Sequence, residues 1–82
     1  MNELNSLLTC GYPWAANRAQ EALQISSAVH AGQMSKSEAT ELLQDLINTD
    51  ALDKEANDFT TKTNLVNAIT DLISVVEGLS SI

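Results

Sequence analysis

Leu65-Val66-Asn67-Ala68-Ile69-Thr70-Asp71-Leu72-Ile73-Ser74-Val75-Val76-Glu77-Gly78 is the stretch whose pattern decides the fold. Leu65, Ile69, Leu72, Val76 and Leu79 advance in alternating steps of four and three residues. That spacing stacks side chains on one face of an α-helix and scatters them over both faces of a strand. Val66 and Ile73 widen the stripe on one flank. A stripe of this width predicts burial against two neighbouring helices rather than a two-stranded seam. The predicted helix runs from about Lys62 to Glu77, Gly78 stops it, and Leu79-Ser80-Ser81-Ile82 is expected to fray.

Upstream, Ser35-Lys36-Ser37-Glu38 is a capping box: the Ser35 hydroxyl can accept from the Glu38 amide, and the Glu38 carboxylate can reach back to Ser35. Ala39, Leu42, Leu43, Leu46 and Ile47 then follow helical spacing, with Glu41, Gln44, Asp45 and Asn48 expected to face outward. A helix before it is expected from about Pro13 to Ala31. Pro13 suits a first turn, and Gly32 supplies the stop, with His30 in the last turn. Ala15, Ala19, Ala22, Ile25 and Val29 fall on one side, with Leu23 nearby. That side is rich in alanine, so a neighbouring helix could approach closely. A short opening helix carries Leu4, Leu7 and Leu8, is capped by Asn2, and ends at Gly11.

Residues 49–64 admit two readings. Asp50 could cap a helix starting at Ala51, in which Leu52, Ala56 and Phe59 keep apolar spacing. The run Phe59-Thr60-Thr61-Lys62-Thr63-Asn64 is poor helix material, because branched Thr and polar Asn lower helix propensity. A break near Asp58–Thr61 is favoured over one continuous helix. The expected fold is therefore all-α, a single domain over 1–82: a small antiparallel bundle of four helices, or five if the short segment near 51 counts separately.

Composition bounds function. Eighty-two residues exclude a multi-domain enzyme. Four Lys+Arg against eleven Asp+Glu give a net charge of −7, which repels a phosphate backbone and argues against direct nucleic-acid binding. The apolar fraction of 44% is that of a globular chain and argues against disorder. Apolar runs are far shorter than the ~20 residues of a membrane span. Met1-Asn2-Glu3-Leu4 lacks the basic start of a secretory signal. The single cysteine, Cys10, fits a reducing compartment. A cytoplasmic location is expected, or a virion-associated one if the chain is phage-encoded.

The motifs for chemistry fail one by one. Asp53-Lys54-Glu55-Ala56-Asn57-Asp58 places oxygens at positions one, three and five of a calcium loop. It then puts Asp58 where glycine is needed and Asn64 where a bidentate Glu is needed. One Cys and one His cannot make a zinc site. Cys10 and His30 are the sole thiol–imidazole pair, and Cys10 at a helix C-terminus has a dipole that opposes the thiolate. The three glycines all act as helix stops, so none cradles a phosphate. No catalytic residue, metal, cofactor or small-molecule substrate is expected.

What remains points to binding. The apolar stripe Leu65, Ile69, Leu72 and Val76 is the leading candidate surface, docking against a second copy or another protein. Tyr12 and Trp14 around Pro13 form a candidate aromatic hot spot, with Trp14 as a plug for the core end as the plainer reading. Seven of the eleven acids lie between Glu38 and Asp58, with Lys54 the one opposing charge there. Solubility accounts for such a run. The sharper reading is an acidic face, carried by Glu38, Glu41, Asp45 and Asp53, that docks on a basic protein surface. Ala31-Gly32-Gln33-Met34-Ser35-Lys36-Ser37-Glu38-Ala39 through Leu43 looks like the helix–turn–helix corner of many small bacterial and phage helical modules, a pattern that capping alone also produces. The expected function is a non-enzymatic interaction or assembly protein, such as a phage-type structural or assembly accessory. The alternative is an acidic inhibitor or nucleic-acid-mimicking decoy.

Overall fold

A computed structural model describes residues 2–48 and 50–78, and the side chains of all of these except 2, 3, 50 and 51. The caps expected from Asn2 and Asp50, the stripe position Leu79 and the fraying of 79–82 lie outside those described groups. Among the described residues there are five helices and no strand: α1 (Asn2–Leu8), α2 (Pro13–His30), α3 (Lys36–Ile47), α4 (Asp50–Glu55) and α5 (Phe59–Glu77). The fold is all-α, as the 3.6-residue periodicity requires.

Each helix boundary has a local cause. Gly11 at φ +89° turns the chain out of α1. Pro13 opens α2 at its first position, where its missing N–H costs no hydrogen bond. α2 closes in a Schellman arrangement, with the Gln33 amide donating to the Ala28 carbonyl (2.8 Å) and the Gly32 amide to Val29 (3.1 Å). Gly32 takes φ +75° there, a left-handed conformation that any Cβ would penalise. Ser35 caps α3 by accepting from the Glu38 amide (3.1 Å), and its hydroxyl donates to the Glu38 carboxylate (3.3 Å).

The break favoured near Asp58–Thr61 exists, but it lies slightly upstream. Residues Ala56–Asp58 are non-helical, and α5 begins at Phe59 instead of about Lys62. The cause is a second side-chain cap: the Asp58 carboxylate accepts from the Thr61 amide (2.8 Å) and hydroxyl (2.5 Å). That cap holds the threonine-rich turn in a helix despite its low propensity.

Contacts at the helix ends set the directions. Lys36 and Ser37 at the start of α3 share a cleft with Glu77 at the end of α5. Ser6, Leu7 and Cys10 share one with Thr61 and Asn64. Trp14 and Arg18 at the start of α2 bond to Asn57 and Glu55. Helices α1, α2, α3 and α5 therefore alternate in direction, and α4 is at the end where α2 and α5 begin. The central pair α2 and α5 pack on each other and on both α1 and α3.

The core draws on every helix: Leu4, Leu7, Trp14, Ala15, Ala19, Ala22, Ala39, Leu43, Leu52, Leu65, Ala68, Ile69, Leu72, Ile73 and Val76. On α2 the inward seam is Ala15, Ala19, Ala22 and Ser26. Ser26 occupies the buried place expected of Ile25, and Ile25 and Val29 are half-buried flanks. Four small residues at that seam let α2 come close to its neighbours.

Candidate functional site

The leading candidate surface is inside. Leu65, Ile69, Leu72 and Val76 are each at most 2% exposed, covered by the helices of their own chain. The expectation that this stripe meets a partner is corrected accordingly. The physical reason is that α1, α2, α3 and α4 bring enough leucine and alanine to close over it, although each is short or poor in bulk. Docking through the stripe would require the bundle to open.

The aromatic pair is also spent on the fold. Trp14 is 8% exposed and closes the α4 end of the core. Its Nε1 donates to the Asn57 Oδ1 (3.2 Å), so the indole's one polar atom is satisfied. Tyr12 is half-buried, with its ring 5.6 Å from that of Trp14 at an interplanar angle of 44°. The two rings stabilise one another in a tilted contact rather than standing free as a hot spot.

Reactive groups do not converge. Cys10 precedes α2 and His30 ends it, and a helix of eighteen residues separates their positions by about 27 Å. The His30 Nδ1 lies 2.8 Å from the Ser26 carbonyl, which can only accept, so this nitrogen carries a proton. Carboxylates of the calcium-like loop point to different partners: Asp53 to Lys62 (2.6 Å), Glu55 to Arg18 (2.9 Å) and Asp58 to Thr61. The hydrogen bond from the Thr61 hydroxyl, and then that from its amide, hold the Asp58 carboxyl below the ordinary carboxylate range. Among the described residues no group of three His, Cys, Asp or Glu side chains is placed to hold a metal ion. No helix among them is long and apolar enough to cross a membrane.

The outer face of α3 is different. Glu38, Glu41 and Asp45 are all exposed, and helical spacing places them along one ridge. Glu41 also lines the open cleft with Lys36 and Glu77. Leu42, expected in the core, is instead 41% exposed beside this ridge, because Ala39 and Leu43 take the inward positions. Asp53 does not belong to the face. It sits on α4 and is committed to Lys62.

Two exposed apolar side chains escaped the sequence reading. Phe59 is 83% exposed. Phe59 lies seven residues before Val66 and so on the same flank of α5, but it is the first residue of the helix, directly after the Asp58 cap. The signal was present in the Asp58-x-x-Thr61 pair. Val75 is exposed too, one residue out of step with Leu72 and Val76.

No protein-family model matches the chain, and no curated protein or solved structure matches it.

Proposed function

We propose that the chain is a non-enzymatic protein-interaction module that docks through the outer face of α3 on a basic, amphipathic protein surface. One observation carries this reading: an exposed leucine, Leu42, beside an unbroken ridge of Glu38, Glu41 and Asp45. The leucine offers an anchor that loses water on binding, and the carboxylates select a cationic rim around it. The net charge of −7 adds long-range attraction for such a partner and repels a phosphate backbone. A nucleic-acid-binding protein has a surface of the required kind, and occupying it would make the chain a decoy. Assembly through the α5 stripe, as in a phage-type accessory, is the weaker reading, because those side chains are covered.

The test uses an amphipathic Lys/Leu helical peptide as probe, with affinity followed against salt. Reversal of Glu38, Glu41 and Asp45 to Lys abolishes binding on this account, while far-UV circular dichroism stays native. Reversal of Glu3, Glu21 and Asp71, none of which is on α3, changes net charge equally and leaves binding largely intact. Equal loss in both variants would reduce the effect to bulk charge and remove the docking face.

A further inference from the structure

We infer that residues 52–57 form a releasable strap over Trp14, whose opening turns the Tyr12–Trp14 pair from a core plug into an exposed aromatic surface. α4 has six residues, fewer than two turns, and such a helix has no stability of its own. Among its described side chains one, Leu52, is wholly buried. Ala56 is half-buried against the core, and the other fastenings are polar and reach the strap from two helices. Arg18 of α2 holds Glu55 (2.9 Å) while also donating to the Trp14 carbonyl (3.0 Å). Lys62 of α5 holds Asp53 (2.6 Å), and Trp14 itself holds Asn57 (3.2 Å). Two of the chain's four basic residues are thus spent on this one segment.

The strap ends of these ties are open to water. Glu55, Asp53 and Asn57 are exposed, whereas the Arg18 side chain is 13% exposed. Water can replace carboxylate and amide oxygens on the strap side at little cost, so the ties hold the segment without locking it. The non-helical stretch Ala56–Asp58 joins the strap to α5, and the Asp58 cap lets α5 start independently of α4. α2 buries five side chains, α5 six, and α3 Ala39 and Leu43, so these helices are expected to open only with the whole bundle. Opening the strap removes Asn57 from the indole and leaves its N–H free for another acceptor. This device is separate from the α3 face, which lies on a different helix.

Native-state hydrogen exchange and acrylamide quenching of Trp14, the chain's one tryptophan, test the inference. Lys54, Glu55 and Ala56 amides are expected to exchange at least about tenfold faster than the core amides of α2 and α5. Glu55→Ala combined with Asn57→Ala alters two exposed positions. It should raise the quenching constant about twofold and speed the strap amides further, with α2, α3 and α5 core amides unchanged. Strap amides exchanging in step with the core, or quenching that stays at the wild-type value in the double variant, would overturn it. Acceleration of every amide together would do the same, by making α4 part of the single cooperative unit.

Discussion

Asp58 and Gly32 show how much single residues decide here. Asp58 ends the break and starts α5, and its carboxyl sits below the ordinary range because Thr61 donates to it twice. A carboxyl lowered in the folded state adds stability above its unfolded value, about 3.9 for Asp, and loses it as pH falls through the folded value. The contribution is therefore whole at neutral pH and disappears in the acid limb below about pH 4. Asp58→Asn keeps an N-cap of comparable quality but does not titrate. Urea unfolding across pH 2 to 7 should show a flatter acid limb for the variant, by roughly the width of that window. Gly32 is a conformational case. A Cβ there would meet nothing within 4 Å, yet φ is +75°. Gly32→Ala should cost about 1 kcal/mol through backbone strain alone. Gly78, which ends α5 at φ −82°, should respond less to the same change, and thermal unfolding of both variants would show the difference.

At the scale of elements, local chemistry was legible where a cap or a turn announced itself. Ser35-x-x-Glu38, Pro13 and Gly32 located three helix ends from sequence alone. Threonine propensity alone places the start of α5 three residues late; the Asp58 cap accounts for its start at Phe59. Facing was harder than existence. Ser26 instead of Ile25 is buried in α2, and Leu42 lies outside α3, because the inward line of a helix depends on how closely its neighbours approach. Periodicity locates a face to within about one residue's 100° and no better. The alanine seam of α2 carries a sharp expectation. Ala19→Leu adds volume where exposure is zero and should cost about 1–3 kcal/mol by overpacking. Ser35→Ala at the head of α3 should cost about 1 kcal/mol through loss of its cap. Chemical denaturation checks both. If Ala19→Leu were tolerated without loss, the seam would not be close-packed.

At the scale of the whole molecule, the all-α fold followed from periodicity, but the candidate site did not. A sequence shows that a stripe must be covered and is silent on whether the cover comes from the same chain. The leading surface of Leu65, Ile69, Leu72 and Val76 failed for that reason: five short helices suffice to enclose it. Ile69, wholly buried, should lose about 2–5 kcal/mol on change to Ala, a core penalty that no exposed docking residue would show. Glu38, Glu41 and Asp45 are exposed on α3, as charges spaced along a helix and absent from its core must be. The leucine beside them became visible only with the fold.

Sedimentation equilibrium, run on the wild-type chain and on Leu72→Asp alongside far-UV circular dichroism, tests the enclosed stripe most directly. The enclosed core predicts one 8.8 kDa species at every concentration and a Leu72→Asp chain that is unfolded. A wild-type dimer that Leu72→Asp converts into a folded, helical monomer would place the stripe at an interface and contradict the account.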